Sequence, residues 1–121
     1  MNITTTACNF NASPALNVFV RSQLKNALGR IESAIVAIDV FMEDINGPKG
    51  GVDKQALIRL HLRTRRVITI EARHENLHAA IRNAVRRAKR AAHRHLRRVR
   101  RTRTSRIAEL IQSSRDRVPS T

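Results

Sequence analysis

The sequence holds no tryptophan and no tyrosine, and its only aromatic residues of that class are Phe10, Phe19 and Phe41. Single-strand binders usually grip bases by stacking them on aromatic rings, so a stacking platform is not expected here. Cysteine is reduced to Cys8, which excludes an internal disulfide and the stapled framework of a small secreted domain. The longest apolar run, AIVAI at 34–38, is far too short to cross a bilayer. The opening MNITTTACNF has neither an early positive cluster nor an apolar stretch, so no secretory signal is read there. A soluble, cytoplasmic protein is the resulting expectation. Acidic residues are scarce as well, with 9 Asp+Glu against 24 Lys+Arg and a formal net charge of +15. The nine carboxylates are scattered and none has an obvious partner, so the perturbed pair of a general acid–base site is not expected. Neither catalysis, nor a cofactor, nor a small-molecule substrate is read from the chain.

What is present is one domain's worth of sequence, 121 residues with 41% apolar content, enough for a single core. The excess of positive charge, most of it arginine, points to a polyanion, and nucleic acid is the commonest in a cell. The guanidinium fork suits phosphate oxygens better than the point charge of lysine.

The elements follow from periodicity. NITTTA at 2–7 is rich in β-branched residues and reads as a strand. Ser13 is a good N-cap and Pro14 suits the first helical position; Leu16, Phe19, Val20, Leu24, Ala27, Leu28 and Ile31 then recur at helical spacing over about five turns. IVAIDVFME at 35–43 alternates, with Val36, Ile38, Val40 and Met42 expected on one face and Ala37, Asp39, Phe41 and Glu43 on the other. DINGPKGGVD, with three of the four glycines, reads as a flexible loop. QALIRLHLR and RVITIEAR alternate again, placing Ile58, Leu60, Leu62, Ile68, Ile70 and Ala72 inward. A tight turn at about 64–66 joins them, and keeping Leu62 and Ile68 on one face favours a three-residue loop. From about Asn76 a long helix carries Leu77, Ile81, Ala84, Val85, Ala88, Ala92, Leu96 and Val99 as its apolar stripe. TRTS at 102–105 is poor helix material and is expected to fray or break it, leaving 102–121 as a loosely ordered basic tail after a domain of residues 1–101. The order is β-α-β-β-β-α. It predicts an α+β two-layer sandwich, a four-stranded sheet with both helices on one face and the other face polar.

One motif invites a different reading. His74-Glu75-Asn76-Leu77-His78 spells H-E-x-x-H, which on a continuous helix holds zinc and supplies a general base. Here VITIEAR still alternates up to His74, and Asn76 is a favoured N-cap, so the helix is expected to start between the two histidines. His61 faces outward from another strand, and His93 and His95 lie about 22–31 Å further along the helix. A third ligand is lacking, and surrounding arginines repel a divalent cation. A strand-to-helix junction, with Glu75 near the positive end of the helix dipole, is the better account.

The same stretch, HENLHAAI, resembles the H-E-D-M-Y-A-A-I box of the ribosome hibernation-promoting factor and ribosome-associated inhibitor family. MNIT is similar to that family's opening strand, SPALNVFVRSQL to its T-P-A-L-x-x-Y-V-x-x-K-L first helix, and AIVAIDVFMEDIN to its second strand. The resemblance runs through most of the first 95 residues and implies the same β-α-β-β-β-α order. The chain departs from the family at His78, where a tyrosine is usual, and at Gln23 and Asn26, where lysines are usual. It also has no acid between Glu75 and Glu109, and it stops short of the long form's C-terminal dimerisation domain, so a short-form member is implied.

Residues 76–108 hold twelve Lys+Arg and no acid, whereas the first 75 residues hold ten bases and seven acids. An ordinary solvated helix intersperses acids to gain i,i+4 pairs; this one accepts self-repulsion instead. Arg82, Arg86, Arg90, Arg97 and Arg101 follow a 3-to-4 spacing as one ridge, with Arg87, Arg94 and Arg98 beside it, on a rod of roughly 35–40 Å. Arg87, Arg90 and Arg94 fall where the resembled family has its basic positions. Lys25, and Arg59, Arg63 and Arg73 on the open sheet face, with Lys49 and Lys54 in the loop, extend the footprint; on the sheet, the arginines serve equally well to guard an exposed surface against edge association. Recognition is expected by shape and backbone charge rather than by base reading. The resemblance implies small-subunit rRNA around the decoding centre as partner, and a hibernation or stress role in which occupancy idles the ribosome without chemistry. The alternatives are a nucleic-acid binder with no fixed ribosomal site and a membrane-surface protein using the basic helix. The membrane reading is weaker because the helix's apolar stripe is needed for the core and no Trp or Tyr marks an interface.

Overall fold

The β-branched run Ile3–Thr6, alternately half-buried and exposed, lies in an edge strand, β1 (Asn2–Cys8), in the structure, a computed structural model that describes residues 1–44 and 54–117. Ser13 then starts α1 (Pro14–Leu28): its Oγ accepts from the Leu16 N–H at 3.1 Å, and Pro14 occupies the first turn, where a missing N–H costs nothing. The helix is shorter than its apolar spacing predicts. It ends at Leu28, and Gly29–Ala34 form a 3-10 segment in which Ile31 has non-helical φ −113° and ψ 19°. Leu16, Val20, Leu24 and Leu28 are the buried face.

Strand β2 (Ile35–Asp44) pairs in parallel with β1 and antiparallel with β3 (Lys54–Leu62), which pairs antiparallel with β4 (Val67–His74). The sheet order is β1-β2-β3-β4, so the α+β sandwich with β-α-β-β-β-α order is the architecture observed. Ile38, Val40 and Met42 point inward as expected, but Val36 does not. The β2–β3 register shifts between Ile35 and Ala37, so Ile35 takes the buried place and Val36 stands 48% exposed. A bulge inserts one residue and slips the alternation by one, which a period-two pattern does not reveal.

The β3–β4 loop has three residues, Arg63, Thr64 and Arg65, one position earlier than read. Leu62 N–H donates to Arg66 O at 2.9 Å and Arg65 N–H to Leu62 O at 3.0 Å. Arg65 is left-handed, φ 69°, the usual last conformation of such a loop. Leu62 and Ile68 are both buried, so the face is kept. The loop read at 44–53 falls, from residue 45 on, outside the described residues, and so does Lys49.

α2 is helical from Leu77 to Arg117. Asn76 caps it through Oδ1, which accepts the His78 N–H at 2.8 Å. The break expected at 102–105 does not occur; Thr102 Oγ1 donates to the Arg98 carbonyl at 3.0 Å, and neither glycine nor proline interrupts the helix. By contacts the chain forms two compact units, Met1–Ala91 and Ala92–Thr121. The first unit contains the sheet, α1 and the start of α2. In it the apolar side chains of β2, β3 and β4 pack under Leu24 and Leu28 of α1 and under Ala80, Ile81, Ala84, Val85 and Ala88 of α2. Each of the fully buried Leu, Ile or Met side chains is worth about 1.5–3 kcal/mol of burial. Among the described residues, the second unit is the rest of α2, residues 92–117.

Candidate nucleic-acid interface

Within the first unit, the buried stripe of α2 dictates where its basic residues go. With Ala80, Ile81, Ala84, Val85 and Ala88 inward, Arg82, Arg86, Arg87 and Arg90 are forced outward, and all four are exposed. At 100° per residue they fan over about 140° of the helix. Lys89, which the ridge reading left out, is exposed among them; the absence of any acid from the stretch was the signal that should have included it. Two of the four have partners. Arg87 Nη1 donates to the Glu71 carbonyl at 2.6 Å, tying α2 to β4, and Arg86 Nη2 donates to Asn83 Oδ1 at 2.6 Å. In the second unit Arg94, Arg97, Arg98 and Arg101 are exposed and span about 100° of helix.

Lys25 is exposed on α1, where it shares a shallow concavity with Val18, Arg21, Ser22 and Asn26. It belongs to the outer face of α1, not to the α2 surface. The open sheet face is organised differently. Asp39 Oδ2 accepts from His61 Nε2 at 3.0 Å, and the Arg59 guanidinium lies 5.8 Å from the centre of the Phe41 ring. Arg73 Nε donates to Glu71 Oε1 at 3.1 Å, and at the sheet's end Lys54 Nζ sits 2.6 Å from Asp44 Oδ2. Arg59 and Arg73 are therefore where they were expected, but both are engaged within the sheet. Arg63 is in the turn rather than in the strand. It lies one residue past β3, with its N–H on Ala34 O at 2.9 Å and its Nε on Ser33 O at 2.6 Å.

The H-E-x-x-H stretch is a junction. His74 ends β4 and its Nδ1 accepts the Asn76 N–H at 3.0 Å, while His78 is in the first turn of α2. The two rings belong to different elements. Among the described residues no three His, Cys, Asp or Glu side chains gather as a metal would require. His78 packs instead on Phe19 of α1, ring centroids 4.7 Å apart. These are the positions at which the resembled family carries tyrosines. No helix among the described residues is long and apolar enough to cross a membrane.

A family model described as sigma 54 modulation protein / S30EA ribosomal protein matches residues 3–100. Among solved structures, the N-terminal domain of Protein Y from Thermus thermophilus is similar, with 24% identity and a TM-score of 0.66 over 78% of this chain and 99% of that one. A ribosomal subunit interface protein from Coxiella burnetii is similar with 18% identity and a TM-score of 0.65, over 78% of this chain and 97% of that one. At these identities the two structures speak for the fold. No curated protein matches the chain.

Proposed function

Because this chain belongs to the sigma 54 modulation protein / S30EA ribosomal protein family, we propose that it is a ribosome-associated factor that binds the small subunit through α2. Its target is rRNA near the decoding centre, and it blocks translation by occupying the path of mRNA and tRNA. The reading makes it a cytoplasmic hibernation or stress factor that performs no chemistry. One observation carries the proposal: twelve bases and no acid in residues 76–108, with every arginine from Arg82 to Arg101 exposed. A helical stretch without acids attracts a phosphate backbone along its length and forgoes the i,i+4 ion pairs that acids would give it.

The proposed contact is led by Arg82, Arg86, Arg90, Arg94, Arg97, Arg98 and Arg101, with Arg87 both anchoring α2 and presenting its remaining donors. Lys25 on α1 adds to it, and Arg59 and Arg73 contribute only at its margin because each already has a partner. With Phe41 the aromatic of the open sheet face and its ring beside Arg59, recognition is by backbone charge and shape.

The test is co-sedimentation of the purified chain with small ribosomal subunits near physiological salt, with excess tRNA and random duplex DNA as competitors. Saturation near one copy per subunit that survives both competitors is the expected result. Binding without a plateau, or lost to random nucleic acid, would leave a general polyanion binder on the same fold.

A further inference from the structure

The β3–β4 hairpin tip carries RTRR at 63–66, the three loop residues and the one after them, of which three are arginine and all four are exposed. Sequence periodicity reads 64–66 as turn residues and Arg63 as an arginine of the open sheet face. Their setting says otherwise. Arg63 is held by two bonds to the 3-10 segment, from its N–H to Ala34 O and from its Nε to Ser33 O. A guanidinium fixed through Nε keeps its two Nη groups as a paired donor edge, the geometry that meets a phosphate. The same bonds bring the segment that contains Arg30 to the loop, so four arginines, with Glu32 as the acid of that segment, occupy one end of the sheet.

Arg65 supplies an independent observation. Its φ of 69° is the left-handed conformation that glycine adopts freely in a three-residue hairpin loop. A residue with a side chain sits there at a cost of about 1 kcal/mol. The loop itself calls for this conformation, but glycine would meet it at lower cost, so the arginine side chain is not there for the turn.

We propose that this hairpin tip, Arg63, Arg65 and Arg66 with Arg30, is a second phosphate-binding contact for RNA backbone, separate from α2. The proposal rests on the reading of the chain as an RNA binder and adds a second foothold to it. Arg87 reaches β4 at Glu71, five residues from Arg66, so the tip lies about 17 Å further along the strand at 3.3 Å per residue. Two cationic contacts so separated engage different phosphates and fix the orientation of the domain on its RNA, which a single basic helix does not.

The test uses the full chain, a 20-base-pair RNA duplex as probe, and binding measured from 0.05 to 0.3 M NaCl. The double variant R65G/R66S removes two charges and relieves the strained backbone, so it folds at least as stably as the parent. Its plot of log affinity against log salt is expected to be shallower by about 2, with affinity near 0.15 M NaCl roughly ten-fold weaker. A parental slope and affinity overturn the second contact. The α2 variant R87E/R90E/R94E, measured alongside, separates the two readings. If it loses binding while R65G/R66S does not, α2 stands and the tip falls. If R65G/R66S weakens binding while the α2 variant binds as the parent, the tip stands and the α2 reading falls.

Discussion

The open face of the sheet and the outer face of α2 are both charged, yet they are built on opposite rules. On the sheet each charge described has an answer close by: Asp39 has His61, Glu71 has Arg73, Asp44 has Lys54, and Arg59 lies beside Phe41. On α2 the cations outnumber any local acceptor, since the stretch 76–108 has no acid at all. The difference teaches that net charge alone is a poor guide to an interface. Paired surface charges are worth about 0–1 kcal/mol and serve solubility and register. A run of cations with no acid among them repels itself, and that repulsion is relieved when a polyanion arrives.

The comparison can be broken most sharply by reversing α2. R87E/R90E/R94E is expected to weaken binding to small subunits on the order of a thousand-fold, from about 1.5 kcal/mol per lost charge-assisted contact, in the co-sedimentation assay. Because R87E also removes the tie to Glu71, R90E/R94E is run beside it and should keep the parental circular dichroism while losing most of the binding; near-parental binding by both would remove α2 from the interface. Next in size is a change that touches the core and no charge. Leu60 is fully buried in the second of the two central strands, and L60A is expected to cost about 2–5 kcal/mol by urea titration while leaving the charge pattern intact.

A smaller effect exposes the self-repulsion directly. Arg82–Arg86 and Arg86–Arg90 in the first unit, and Arg94–Arg98 and Arg97–Arg101 in the second, are like-charged i,i+4 pairs costing about 0.2–0.5 kcal/mol each, roughly 1–2 kcal/mol together. Raising NaCl from 0.02 to 0.5 M should therefore raise the melting temperature while lowering RNA affinity. A melting temperature that falls with salt would mean the repulsion is already relieved. Least of all, R73Q on the sheet is expected to change stability by under about 0.5 kcal/mol and binding by less than about three-fold, by the same two assays. A large loss of binding there would move the sheet face into the interface.

Much of this architecture was legible because local chemistry and pattern agreed. Ser13 and Asn76 are caps by type and by geometry, and the parity of Leu62 and Ile68 demanded an odd-length loop. What was not legible came from tertiary choices that leave the pattern ambiguous. Val36 is as apolar as Ile35, and only the register against β3 decides which is buried. Ile31 continues the helical spacing of α1, but the backbone tightens into a 3-10 segment first. Thr102 is a weak helix former, yet its hydroxyl finds the Arg98 carbonyl and the helix continues. The candidate interface was legible as charge on α2, since burial of its alanines leaves the arginines nowhere else to point. Arg63 falls in the turn because the loop begins one residue earlier than the alternation suggests.

The parallel pairing of β1 with β2 sets an order of assembly. Strands β2, β3 and β4 are sequence neighbours joined antiparallel, so their pairing is local. β1 finds its place only across α1, with Asn2 opposite Ala37 and therefore 35 positions away. Closing that span costs more chain entropy than turning a three-residue hairpin, and no residue of β1 is fully buried to offset it. The first strand made is accordingly the last to dock, and its amides should exchange with deuterium ahead of those of β3, which is paired on both sides.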